Sequence, residues 1–212
     1  MSKLHIFDMD GTLLRGAASV ELCRHLGRLD EADAVEQAWV RGEITDVQFW
    51  DRMLPLWDGM TDADVENAFL ASPWIEGVAD VFADILGRGE RSVVISQSPL
   101  FFVSLLTRWG AGSTYGAGVR PGDRSSTALL VTADDKVRIA EELMARHRLG
   151  PQDCVAYGDS TSDLGLFGRF PHTVAVNATA RLYRIAARAY RGDDLREAYA
   201  MGRGLLAGRE VA

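Results

Sequence analysis

Three short apolar runs in this chain each break abruptly into a polar turn, and that repeated step restricts the fold more than any other feature. Leu4 to Phe7 ends in Asp8-Met9-Asp10-Gly11-Thr12, Ser92 to Ile95 ends in Ser96-Gln97-Ser98-Pro99, and Val155 to Tyr157 ends in Gly158-Asp159-Ser160. Short apolar runs bounded by turn formers read as fully buried strands. Helical spacing fills the chain between them, over Val78 to Leu86, Leu100 to Trp109 and Asp134 to Arg148. A further strand is expected at Thr173 to Val176, followed by a helix from about Thr179 to Arg188. Strands alternating with helices predict an α/β domain, a Rossmann-like parallel sheet covered on both faces. Ligands of such sheets bind beyond the carboxyl ends of the strands, and all three polar clusters fall there.

One block interrupts the alternation. Between Arg15 and Ser72 the pattern is helical throughout: Val20, Leu22, Cys23 and Leu26, then Ala34, Val35, Ala38 and Trp39, then Val47, Phe49, Trp50, Met53 and Leu54, ending near Pro55. Thr61 is a candidate N-cap for a fourth helix carrying Val65, Ala68 and Phe69. The chain therefore divides into an α/β core of residues 1–14 and 74–212 and a helical insertion of residues 15–73. Pro99 suits a first helical turn. Pro121-Gly122-Asp123, between extended stretches at Thr114 to Val119 and Ala128 to Thr132, predicts a hairpin.

Composition narrows the function. With 23 basic and 30 acidic residues the 212-residue chain carries a net charge of −7, which disfavours nucleic acid as the partner. No run approaches the 18 or so apolar residues of a membrane helix. Acidic residues follow too soon after Met1 for a signal peptide, so a cytoplasmic location is expected. Cys23 and Cys154 lack metal-site spacing and read as small core residues.

Asp8 and Asp10, with a third carboxylate at Asp159, make an oxygen-rich negative site whose members raise each other's pKa unless a cation offsets the repulsion. Mg²⁺ takes such hard oxygen ligands and keeps a place for a substrate phosphate. A phosphate needs donors and positive charge, which the Ser96 hydroxyl and the backbone N–H groups after Asp8 and Ser96 can supply. Lys136 is one of two lysines in a chain whose other basic residues are arginines, which points to a compact ammonium at that position; the plainer reading is a solvated lysine in a first helical turn. These parts suggest covalent catalysis, with Asp8 as nucleophile and Asp10 as acid and then base.

The same residues resemble the haloacid dehalogenase superfamily in its magnesium-dependent phosphatase branch. Asp8-Met9-Asp10-Gly11-Thr12 matches the first motif (DxDGT), Ile95-Ser96 ends the second-motif strand, Lys136 matches the third, and Gly158-Asp159-Ser160-Thr161-Ser162-Asp163 matches the fourth (GDxxxD). The resemblance implies that Asp8, Asp10 and Lys136 are catalytic. It also implies that Ser96, Gln97 and Lys136 bind the phosphoryl group, and that Mg²⁺ is held by the Asp8 carboxylate, the Asp10 backbone carbonyl and Asp159. Asp163 would support the metal site from behind; otherwise it is a first-turn charge favoured by the helix dipole.

The insertion resembles the helical cap of the phosphoserine phosphatase-like subgroup, which closes over the site and selects the leaving group. Several cap and turn positions depart from that subgroup: Gly11 replaces a serine, Ala17 and Ala18 lie near where a glutamate is expected, and the second motif is Ser96-Gln97-Ser98. The expected substrate is accordingly a small phosphorylated metabolite without a commitment to phosphoserine, and Arg52 and Trp50 are the candidate cap residues for specificity. The tryptophans at 39, 50, 57 and 74 fit a cap core or a pocket wall, the core being the simpler reading. The four histidines show no ligand spacing. Arginines at 181, 184, 188 and 191 fall at helical spacing and read as a solvated face. The expected activity is Mg²⁺-dependent phosphomonoester hydrolysis through an aspartyl-phosphate, by a monomer or homodimer. The rivals are a phosphomutase of the same superfamily, which would differ in excluding water, and a non-catalytic phosphate-ligand binder.

Overall fold

A computed structural model describes residues 2–124, 126 and 129–208. Six strands, β1 (Leu4–Phe7), β2 (Arg91–Pro99), β3 (Ser113–Ala117), β4 (Cys154–Gly158), β5 (Thr173–Val176) and β6 (Arg188–Tyr190), form one sheet in the order β3-β2-β1-β4-β5-β6. Every neighbouring pair is parallel. Register fixes the edge at which chemistry can occur. Phe7 pairs with Val94 on one side and Tyr157 on the other, so Asp8, Asp159 and, still within β2, Ser96 lie within two residues of one transverse line.

Successive strand residues point to opposite faces, and two separate cores result. Phe7, Val94 and Tyr157 pack against α5 (Val78–Gly87) and α10 (Leu195–Leu206), among them Phe82, Ile85 and Leu195. Leu4, Ile6, Val93 and Ile95 pack on the other side against α7 (Ala133–His147) and α8 (Leu164–Arg169). Each fully buried large apolar side chain contributes roughly 1.5–3 kcal/mol, and β1 is apolar throughout except for His5.

Between β1 and α5 lie α1 (Ala18–His25), α2 (Leu29–Val40), α3 (Asp46–Met53), a 3₁₀ turn over Leu54–Trp57 and α4 (Asp62–Ala71). Thr45 and Thr61 cap α3 and α4, each in a reciprocal box with the residue three positions on, Gln48 and Asp64. Pro55 ends α3 by entering the 3₁₀ turn. The chain leaves and re-enters the sheet side by side: Leu14 bridges Trp74, Arg15 N–H donates to the Pro73 carbonyl, and Ile75 N–H donates to the Leu13 carbonyl. Both cysteines are buried and unpaired. Among the described residues no helix is long and apolar enough to cross a membrane.

Four local expectations fail. The hairpin does not form: Ser113–Ala117 is instead a parallel strand beside β2, Leu129 to Thr132 carry no strand, and Thr127 and Ala128 lie outside the described residues. Alternation in this stretch reflects a sheet edge rather than a local turn. Pro99 ends β2 and caps the short helix α6 (Leu100–Val103) instead of opening the first turn. The expected helix from Thr179 stops at Tyr183 as α9 (Ala180–Tyr183), and Arg188 begins β6. With Arg188 in a strand and the Arg191 guanidinium 4.8 Å from the Tyr183 ring centre, the four arginines share no helical face.

At the opposite edge from the polar turns, His5 is fully buried in a polar knot. Its Nε2 lies 3.0 Å from Glu90 and its Nδ1 3.2 Å from the Tyr157 hydroxyl; Arg203 pairs with the same glutamate, and Tyr199 packs on the imidazole. The tautomer that satisfies both contacts carries its proton on Nε2. Burial lowers the His5 pKa, against the opposing pull of Glu90. The folded state therefore binds fewer protons than the unfolded chain below about pH 6.5, so stability falls as pH drops through that value. Thermal unfolding of wild type and His5→Gln compared from pH 8 to pH 5.5 will show the wild type losing Tm relative to the variant as the pH falls.

Candidate active site

Lys136 occupies the first turn of α7, which Thr132 caps by accepting the Asp135 N–H while Asp135 accepts the Thr132 N–H. Its side chain runs inward and is completely buried. All three ammonium protons are used: Nζ lies 2.8 Å from Asp8 Oδ2, 2.8 Å from Asp163 Oδ1 and 3.0 Å from Ser162 Oγ. Burial opposes the charge on this lysine, but Asp163 and Asp8 outweigh it and hold the pKa above its ordinary value.

Asp8 follows β1 directly. Its Oδ1 accepts the Met9 N–H at 2.7 Å. Burial, then the charge of Asp163, raises its pKa strongly, with Lys136 pulling the other way. Asp159 follows β4 and accepts a 3.4 Å hydrogen bond from the Thr12 hydroxyl; burial and Asp163 push it up to about 7. Asp163 is wholly buried, and its second oxygen accepts the Asp159 and Ser160 N–H groups at 3.1 and 3.3 Å. It therefore fixes both the lysine and the turn that presents Asp159. Ligand oxygens of Asp8, Asp159 and Asp163 all lie within 4.8 Å of one another. Such a set of hard oxygens, with one ammonium to balance it, fits a divalent cation of the Mg²⁺ or Ca²⁺ kind.

The Asp10 side chain stands outside that trio. It accepts from Ser98 Oγ at 2.6 Å, Ser96 Oγ at 3.1 Å and the Ala18 N–H at 2.9 Å. Burial raises its pKa, and these three donors moderate the rise. Two glycines allow the close approach of the turns. Gly11 has φ +76°, and a β-carbon there would overlap the Asp159 carboxylate; one on Gly158 would overlap Asp163.

A cavity of about 490 Å³ opens above these groups. Asp8, Asp10, Lys136 and Asp159 form its floor, while Glu21, Glu36, Trp39 and Trp50 of the helical block line its walls.

The profile of the family described as "haloacid dehalogenase-like hydrolase" matches residues 6–168. The chain belongs to that family. Among curated relatives, a phosphoserine phosphatase of Archaeoglobus fulgidus is 25% identical over 87% of this chain, which spans 55% of that relative's length. A phosphoserine phosphatase of Idiomarina loihiensis is 24% identical, with 92% of this chain and 91% of the relative covered. The fold is shared with a solved phospho-aspartyl intermediate analogue of phosphoserine phosphatase (TM-score 0.76, 23% identity, 92% of this chain and 96% of the other). It is shared also with a HAD-family hydrolase from Salmonella enterica serovar Typhi (TM-score 0.80, 20% identity, 92% and 70%).

The residues this family member was expected to use gather at one strand edge, with qualifications. Ser96 donates to Asp10 rather than standing free, and the Gln97 amide donates to the Val131 carbonyl at 3.0 Å while still lining the cavity. Trp50 lines the cavity, but Arg52 is exposed on α3 and lies off it. Residues two apart on a helix point in different directions, so the two specificity candidates could not both face the site. Trp39 also lines the wall, its Nε1–H donating to Asp46 at 2.7 Å, whereas Trp57 is buried in the core.

Sequence reading missed Ser98, Ser162, Glu21, Asp33 and Glu36. Ser98 and Ser162 sit inside motifs already identified, and their alternation with Ser96 and Asp163 was the available signal. The acidic residues on α1 and α2 look like ordinary solvated charges until tertiary packing turns them toward the cavity. Replacing Lys136 with Met, which leaves Asp8 and Asp163 buried without their ammonium, will cost about 3–5 kcal/mol in urea unfolding of the metal-free protein.

Proposed function

We propose that this chain is a Mg²⁺-dependent phosphomonoesterase acting on a small organic phosphate, with residues 15–73 as the cap over the site. The observation that carries this reading is the convergence of Asp8, Lys136 and Asp159, from three separate segments, on one buried point beside Asp10. The relatives named phosphoserine phosphatase support the reaction class.

In this reading Asp8 Oδ attacks phosphorus in line, forming the aspartyl-phosphate as the ester P–O bond breaks. Asp10, whose burial favours the protonated form, gives its proton to the departing alkoxide. The alcohol leaves, and Asp10 then takes a proton from the water that attacks phosphorus. The P–O bond to Asp8 breaks, releasing inorganic phosphate and restoring both carboxyl groups. Ser96 and Ser98 keep Asp10 aimed, and Lys136 pulls Asp8 toward its ionised form against burial and offsets charge on the transferred group. Asp8, Asp159 and the Asp10 backbone carbonyl would hold Mg²⁺, which when bound would supply further charge neutralisation. Asp163 acts through Lys136 and the Asp159 turn as a positioning residue.

Purified protein with Mg²⁺ will release inorganic phosphate from p-nitrophenyl phosphate, and chelation will stop the release until Mg²⁺ is restored. Asp10→Asn will lower kcat by about 10²–10⁴-fold, and Asp8→Asn will abolish turnover. Isomerisation of a sugar phosphate without phosphate release would establish the mutase instead. Tight binding of a phosphate ester without turnover would establish the binder.

A further inference from the structure

The leaving-group end of the cavity is acidic, and its cations are already engaged. Asp33, Glu36 and Val40 fall along one face of α2 and line the cavity with Trp39; Glu21 and Asp46 add two more carboxylates from α1 and α3. Two guanidinium groups reach this end. Arg24 is held by Glu21 at 3.0 Å, and Arg15 by Asp193. Asp46 is occupied by the Trp39 indole. Glu36 is half-buried, and neither it nor Asp33 has a hydrogen-bond or ion-pair partner among the described residues. On the same helix Asp30 and Glu31 lie off the cavity, whereas Asp33 borders it as an exposed carboxylate and Glu36 is half-buried in its lining. Burial, then the charges of Asp10 and Asp33, pushes Glu36 up to about 7, a cost that a bound cation relieves.

The same end of the cavity is also aromatic. Trp39 stacks obliquely on Phe49 with ring centres 5.7 Å apart, Phe49 meets Trp50 edge-on at 5.0 Å, and all three line the cavity. Aromatic faces beside carboxylates attract organic ammonium ions and pack on their carbon substituents.

We propose that the leaving group is an amino alcohol, its ammonium received by Glu36 and Asp33 and its carbon chain packed against Trp39, Phe49 and Trp50. This substrate class rests on the phosphomonoesterase reading above. It argues against an alcohol bearing a carboxylate: with Arg15 and Arg24 engaged, serine would bring a negative charge into an acidic wall where, among the described residues lining the cavity, no guanidinium is free to meet it.

The test ranks esters by kcat/KM with Mg²⁺: O-phosphoethanolamine and phosphocholine against their uncharged counterparts propyl phosphate and 3,3-dimethylbutyl phosphate, with O-phospho-L-serine, phosphoglycolate and p-nitrophenyl phosphate alongside. The expected result is a preference of about tenfold or more for each cationic ester over its uncharged counterpart, with O-phospho-L-serine below O-phosphoethanolamine. Glu36→Gln, at unchanged Tm, will shrink that ratio, and Glu36→Lys will turn preference toward phosphoglycolate. Equal rates on charged and uncharged esters, or O-phospho-L-serine as the best substrate, would overturn the proposal while leaving the phosphomonoesterase reading intact. No hydrolysis of any ester, p-nitrophenyl phosphate included, would bring down both. The wild-type ranking decides the matter even if neither variant folds.

Discussion

A single buried ammonium holds this structure's chemistry together. Lys136 lies between Asp8 and Asp163 at 2.8 Å from each, and without it several carboxylates would share a region from which water is largely excluded. Removing an ion from water costs several kcal/mol even after relaxation, and only close contacts with every donor satisfied offset that cost. Lys136 meets the condition with three acceptors for three protons. Its position follows from parts far apart in sequence: the Thr132 cap starts α7 at the right residue, and the register of β1 with β4 brings Asp8 level with the Gly158-Asp159 turn.

Burial has divided the carboxylates into different working states. Asp163 is bound on both oxygens and acts as scaffold. Asp8 faces the ammonium that favours its ionised form. Asp10 is surrounded by hydroxyl and amide donors and stands apart from the lysine's direct contacts. Asp8 against an ammonium and Asp10 among neutral donors thus have unlike surroundings although only two positions apart, as two carboxylates with different roles in the proposed reaction require.

Much of this was legible in the sequence because it depends on local signals. Each apolar run ending in a polar turn marks a strand and the edge where it stops, and the carboxylates and lysine stand at those ends. The four helices before Pro73 were legible for the same reason, their apolar spacing and the Thr61 cap being properties of neighbouring residues. What escaped depends on tertiary placement. β3 and β6 are short edge strands of mixed polarity, defined by pairing with β2 and β5 rather than by their own pattern. Arg52 and Trp50 were equally plausible candidates until α3 acquired a rotation about its axis. Glu36 became distinctive only when α2 packed with that side over the cavity.

The paired segments at Leu13 to Arg15 and Pro73 to Ile75 carry a wider consequence. They clamp the two ends of a long excursion together with backbone hydrogen bonds, so the excursion leaves and rejoins the sheet at one place. Changes in length or composition within the excursion leave strand pairing untouched. New cavity walls can thus accumulate in one stretch of the gene while the carboxylates and lysine at the strand ends are inherited whole.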